Sequence, residues 1–174
     1  MRRAGLAPPV GPGMSGKNTV LLIGYGNPGR RDDGLGPALA EAVEKLGLPG
    51  VTVDSDYQLI VEDAAAAAEH EVVVFADASV DGAEPFSFER LMPGGGELGF
   101  SSHSVEPEGV LALARDLFGA TPKAYVLGIR GYEFNEFGEY LSEKAKHNLD
   151  CALRFVQALL KEGLLLTRAE VRSD

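Results

Sequence analysis

The chain has one cysteine, few basic residues and no long apolar run. Of its 174 residues, 16 are lysine or arginine and 26 are aspartate or glutamate, which gives a formal net charge of −10. The lone Cys151 excludes an internal disulfide and a cysteine metal cluster. The negative charge disfavours nucleic acid and anionic membrane as partners, because both require a positive protein face. A basic segment of a partner protein would be attracted instead.

The length and composition indicate one globular domain that needs no covalent staples. The chain has a mass of 18.4 kDa, and 45% of its residues are hydrophobic, which is ordinary for a folded domain. No apolar run reaches the ~20 residues that span a bilayer, so we expect a cytoplasmic protein with no membrane partner. The composition predicts a disordered leader over residues 1–18, a single domain over 19–163 and a tail over 164–174.

Strand-like and helix-like segments alternate along the chain. Apolar or alternating runs predict strands over residues 19–25, 51–56, 71–77, 86–91 and 123–130. Helical periodicity and capping signals predict helices over residues 36–46, 61–70, 106–118 and 142–161. This alternation predicts a three-layer α/β/α sandwich with a mostly parallel sheet, in which the half-polar segment 86–91 is an edge strand. Ligands of such sheets bind at the carboxyl ends of the strands.

The loop between the first predicted strand and helix carries the most informative motif, which reads GYGNPGRRDDGLG from Gly24 to Gly36. Its glycines permit a tight turn and close approach of the backbone. Asp32 and Asp33 supply hard oxygen ligands or proton acceptors, and two adjacent acids favour a cation or a base over an anion. Because neighbouring side chains diverge, we expect Asp33 to face the site and Asp32 to face solvent or an arginine.

The same loop formally matches a dinucleotide-binding fingerprint. Gly24, Gly26 and Gly29 fit GxGxxG, and Asp54 lies near the end of the second strand, where an acid would bind ribose. Against this reading, the paired acids occupy the place of the pyrophosphate, which they would repel. The fingerprint therefore remains an alternative of low specificity.

Asp33, Asp77 and His103 form the favoured candidate site. Each lies on a segment that should reach the carboxyl edge of the sheet. Two carboxylates and one imidazole suit nickel, zinc, iron or manganese. Taken singly, each has an ordinary structural reading, because an aspartate at a strand end often forms a turn and a histidine in a glycine-rich loop is usually solvated. The three together predict a metal site.

Four segments resemble the hydrogenase maturation endopeptidases, and the resemblance extends from about residue 19 to residue 160. The segments read GYGNPGRRDDGLG, YQLIVEDAAA, VVVFADAS and SSHSVEPEGVLALARDLFG. The resemblance implies a twisted five-stranded sheet with one antiparallel edge strand. It also implies a protease that removes the carboxyl-terminal extension from the large-subunit precursor of a nickel–iron hydrogenase.

The resemblance assigns metal coordination to Asp33, Asp77 and His103, with the two aspartates as catalytic candidates. The metal would be nickel carried by the precursor, and zinc or cadmium could occupy the same site. Gly26 and Asn27 are predicted to shape the cleft floor. Gln58 is predicted to contact the backbone of the substrate. The alternative within this reading is a maturation factor that senses nickel without cutting.

Overall fold

The computed structural model describes residues 19–94 and 105–162, so the predicted leader, the predicted tail and His103 lie outside the described residues. The strands are β1 (Val20–Tyr25), β2 (Val51–Asp56), β3 (Val72–Ser79), β4 (Phe86–Leu91) and β5 (Lys123–Arg130). The helices are α1 (Leu35–Lys45), α2 (Asp63–Ala68), α3 (Pro107–Phe118) and α4 (Glu143–Glu162), and a short 3-10 helix, Arg31–Gly34, precedes α1. These bounds agree with the predicted elements to within two residues at most ends.

The strands form one five-stranded sheet in the order β2-β1-β3-β5-β4. The pairs β1–β2, β1–β3 and β3–β5 are parallel, whereas β4 runs antiparallel to β5 at the edge. The predicted three-layer, mostly parallel sandwich with one antiparallel edge strand is therefore confirmed.

Alternate residues of the central strands serve two separate cores. Leu22 of β1 packs with α1 and α4 on one face of the sheet. Its neighbours Leu21 and Ile23 pack with α2 and α3 on the other face. Successive side chains of a strand point to opposite faces, so a strand covered on both faces must be apolar throughout. This is why β1 and β3 read as continuous apolar runs.

Two details differ from the expectation. Strand β3 continues to Ser79, so Asp77 is paired with Gly128 of β5 inside the strand rather than ending it. The helical periodicity of the sequence predicts that α4 buries Leu149, Leu153, Val156 and Leu160, but of these only Val156 is among its most buried residues. Its buried residues are Ala145, Asn148, Ala152, Val156 and Leu159. The three predicted leucines are partly buried and pack against the same core.

The parallel strands bring their carboxyl ends to one edge of the sheet. The loops that follow β1, β2, β3 and β5 all leave from this edge, and α3 begins beside it. None of the helices in the described ranges is long and apolar enough to cross a membrane.

Candidate functional site at the carboxyl edge

The loop after β1 holds Asp33 by its own backbone. Gly26 has φ +141°, and a Cβ atom there would lie 2.1 Å from the carbonyl oxygen of Asp33, so only glycine fits. The next residue closes the turn, because Asn27 Oδ1 accepts a hydrogen bond of 2.9 Å from the Gly29 N–H. The Asn27 N–H in turn donates to Asp33 Oδ2 at 2.9 Å. The glycine-rich motif thus orients one carboxylate.

Asp77 lies half-buried in β3 beside this loop. Its Oδ1 accepts a 2.7 Å hydrogen bond from the Ala78 N–H, and the Tyr25 hydroxyl donates a second hydrogen bond to the carboxylate. Burial raises the pKa of Asp77 to about 6, and the negative charge of Asp33 adds to the rise, against the lowering effect of the two hydrogen bonds. The two carboxylates predicted to share a site are therefore electrostatic neighbours.

Tyr25 is a site residue that the sequence analysis did not select. Burial is the largest of the effects that raise the pKa of the Tyr25 hydroxyl well above its ordinary value. The negative charges of Asp77 and Glu106 raise this pKa further. The phenol consequently stays protonated at neutral pH and donates to Asp77. The sequence carries one indication that Tyr25 belongs to the site: it ends an otherwise apolar strand and lies within the GYGNPGRRDDGLG motif.

The site is acidic, and it favours a cation. Glu106, an exposed residue that precedes α3, adds a third negative charge near Tyr25 and Asp77. Among the described residues, no group of three or more His, Cys, Asp or Glu is placed to hold a metal ion. The structure therefore brings together Asp33 and Asp77 from the predicted set, whereas His103 falls outside the described ranges. Two carboxylates in this position can bind a divalent ion carried by a substrate or accept a proton.

Asp32 points away from the site into the protein. It is fully buried, and its Oδ1 accepts the Ser142 N–H at 2.8 Å. Its Oδ2 accepts the Ser142 hydroxyl at 2.6 Å and the N–H groups of Tyr132 and Glu133 at 2.8 and 3.0 Å. Burial alone would raise the pKa of Asp32, but these hydrogen bonds together lower it. The expectation that this acid faces solvent or an arginine was wrong.

Arg31 binds the same segment, residues 131–142, which we call the strap. The side chain is only 10% exposed, and its guanidinium pairs with Glu133 and, at 3.3 Å, with Glu136. It also donates to the Tyr140 carbonyl at 3.0 Å and lies 3.9 Å from the centre of the Tyr140 ring. Arg31 therefore neutralises acids of the strap rather than those of the site.

The remaining predicted substrate contact, Gln58, is exposed in the loop that follows β2 at the same edge. The glycines of the dinucleotide fingerprint have a packing role. A Cβ atom on Gly24 would lie 2.1 Å from the carbonyl oxygen of Gly36 in α1. Gly24 thus allows α1 to approach β1 closely, and the acids before α1 leave its start unsuited to a pyrophosphate.

The three layers and the strand order define the class of the protein as a three-layer α/β fold with a mostly parallel five-stranded sheet. No family model matches the sequence, and no curated protein sequence matches it. Solved structures do match. A [NiFe] hydrogenase maturation protease HycI from Thermococcus kodakarensis KOD1 is 24% identical with a TM-score of 0.64, over 84% of this chain and 95% of that one.

Two structures from Escherichia coli agree with this comparison. The hydrogenase maturating endopeptidase HybD is 22% identical with a TM-score of 0.63, over 83% of this chain and 93% of that one. An endopeptidase solved in solution is 24% identical with a TM-score of 0.65, again over 83% and 93%. The chain therefore has the fold of the hydrogenase maturation proteases, as the resemblance implied.

Proposed function

We propose that this protein is an endopeptidase that removes the carboxyl-terminal extension of a nickel–iron hydrogenase large-subunit precursor after nickel insertion. One observation carries the proposal. Asp33 and Asp77, selected from the sequence, lie together at the carboxyl edge of a fold that solved maturation endopeptidases share. In the proposal, His103 completes the set of groups that engage the nickel of the precursor.

The chemistry of the pair fits hydrolysis of a peptide bond. A substrate-borne nickel ion held by carboxylates would polarise the scissile carbonyl and lower the pKa of an attacking water. A carboxylate whose pKa is about 6, like that of Asp77, is largely ionised at neutral pH and still basic enough to accept a proton from that water.

Tyr25 would keep the pair in working geometry. Two like charges repel each other, so a neighbouring carboxylate tends to rotate away unless it is held. The Ala78 N–H and the protonated Tyr25 hydroxyl hold Asp77 from its own strand and from the adjacent one. We therefore assign Tyr25 as a positioning residue.

Incubation with a nickel-loaded precursor tests the proposal directly. Intact-mass measurement should show loss of a short carboxyl-terminal peptide from the precursor. Asp77→Ala and His103→Ala should each reduce the cleavage rate by at least 100-fold, in line with loss of a residue that contacts the reacting atoms. Asp81→Ala is the matched control, because Asp81 is an exposed acid in the loop after β3, and it should cleave at the wild-type rate.

Other outcomes would identify the alternatives. Binding of the precursor without a change in mass would favour the nickel-sensing factor. Binding of a nicotinamide or flavin nucleotide in a titration would favour the dinucleotide reading. Full cleavage by either Asp77→Ala or His103→Ala would remove the basis for the assigned site.

A further inference from the structure

A groove lies outside the acidic pair, between α1, the end of β2 and the strap. Its volume is about 600 Å³, which is in the range of sites that bind ligands. Its apolar lining includes Ala38 of α1, Val53 of β2 and Leu141 of the strap. The proposed function does not use this groove.

The groove is negatively charged. Glu44, Asp54 and Glu139 line it, and among its lining residues the one cation is Arg31. The charge of that guanidinium is already matched by Glu133 and Glu136 of the strap. The remaining carboxylates therefore favour an occupant that carries positive charge.

The groove follows the outer edge of the sheet. Strand β2 pairs with β1 on one side, and within the described ranges no strand pairs with its other side. Val53, Asp54 and Ser55 are consecutive in β2, and all three line the groove, as expected at the free edge of a strand. Such an edge offers backbone N–H and C=O groups to an extended peptide; here the Ser55 N–H already donates to Asp54 Oδ1 at 2.9 Å, so a bound segment pairs with the other groups of the edge.

We propose that this groove binds an extended, basic segment of a partner polypeptide. Apolar side chains of the segment would pack on Ala38, Val53 and Leu141, while its lysine or arginine side chains reach the carboxylates. The groove also includes Pro28 and Gly34 from the loop that carries Asp33. A bound segment would consequently lie next to the acidic pair without occupying it, so that binding here can be measured separately from cleavage.

Fluorescence anisotropy with a labelled twelve-residue peptide of alternating lysine and valine tests this proposal. The double variant Glu44→Gln, Glu139→Gln should weaken binding at least fivefold. The double variant Glu69→Gln, Glu89→Gln is the matched control. It removes the same charge from exposed residues outside the groove, and its affinity should stay within twofold of wild type. A glutamate–valine peptide should not bind.

The location is tested by amide chemical shifts in nuclear magnetic resonance spectra. The lysine peptide should shift the amides of Ala38, Val53 and Ser55 first. Equal weakening by the two double variants, or shifts spread evenly over the acidic surface, would show unspecific charge attraction and overturn the proposal. Concentration-dependent self-association that shifts the same amides without peptide would assign the groove to a second copy of the chain and would overturn it as well. None of these outcomes depends on whether the protein cleaves a precursor.

Discussion

Two tyrosines on the same sheet show how the surroundings of one side chain decide its role. Tyr25 donates its hydroxyl hydrogen to Asp77 at the carboxyl edge. Tyr125 is 1% exposed in β5 and stacks on Phe88 at 4.9 Å between ring centres. Its hydroxyl has no hydrogen-bond partner among the described residues. The same functional group therefore serves the site in one place and costs stability in the other.

Tyr25→Phe and Tyr125→Phe form a matched pair that removes one hydroxyl each. Tyr25→Phe should lower the rate constant of precursor cleavage about tenfold, because Asp77 loses one of the hydrogen bonds that fix it, while KM stays unchanged. Tyr125→Phe should leave cleavage unchanged and raise the free energy of unfolding by up to about 1 kcal/mol, since a buried hydroxyl without a partner is unfavourable. Steady-state kinetics and urea denaturation check both expectations.

The positioning role of Tyr25 would be contradicted in either of two ways. A Tyr25→Phe variant as active as wild type would show that the hydroxyl contributes nothing. A rise in KM without loss of turnover would show that Tyr25 acts on substrate binding instead.

At the scale of elements, the strap and the loop after β1 form one structural unit. Asp32 and Arg31 are consecutive, and both bind residues about a hundred positions later in the chain. In addition, the Arg31 N–H donates to the Gly138 carbonyl and the Asp32 N–H to the Glu133 carbonyl, each at 2.9 Å. The connection between β5 and α4 thus fixes the loop on which Asp33 is presented.

Asp32→Asn should destabilise the protein by about 2–4 kcal/mol. The carboxamide presents an N–H group where the carboxylate accepted hydrogen bonds only, so at least one buried donor near Ser142 loses its partner. Urea denaturation at pH 7 measures the change. Asp81→Asn, which alters an exposed acid, should stay within about 0.5 kcal/mol of wild type.

The difference in unfolding free energy between wild type and Asp32→Asn should depend on pH, and the pKa of Asp32 determines the direction of this dependence. The folded-state pKa of Asp32 is lowered, so its stabilising effect is complete above the unfolded carboxyl pKa of about 3.9. It is lost as the pH falls below that value toward the folded-state pKa. The unfolding free energies of wild type and Asp32→Asn should therefore differ by a constant amount above pH 5 and converge as the pH falls below about 3.9. A difference that stays constant as the pH falls below this value would contradict the role of Asp32 as an ionised acceptor.

The sequence predicted the helices and strands better than it predicted the long-range contacts between them. Apolar runs predicted the positions of the central strands, because a strand that is buried on both faces has a nearly continuous run of apolar residues. The end of β3 was missed, since Asp77, Ala78 and Ser79 are not an apolar run and their pairing with β5 decides the boundary. The burial of Arg31 could not be predicted, because its partner Glu133 is 102 residues away in sequence.

For the whole molecule, several of the acids that contribute to the net charge of −10 lie at or beside the carboxyl edge. Asp33, Asp77 and Glu106 lie at the candidate site, and the proposed groove beside it carries further carboxylates. A field of one sign over a binding surface accelerates encounter with a partner of opposite charge, and salt screens this effect. The acidity of the protein is therefore expected to act on association rather than on the chemical step.

Ionic strength should separate these two steps in the cleavage of the precursor. Raising the salt concentration from 0.05 to 0.5 M shortens the screening distance from roughly 14 Å to roughly 4 Å. We expect kcat/KM to fall about tenfold and kcat to stay within twofold, because hydrogen bonds inside the site are screened far less than charges that face solvent. The Glu44→Gln, Glu139→Gln variant should show a smaller salt dependence than Glu69→Gln, Glu89→Gln, which has the same net charge. Equal salt dependence in both variants would mean that the total charge of the molecule, rather than its placement at this edge, attracts the partner.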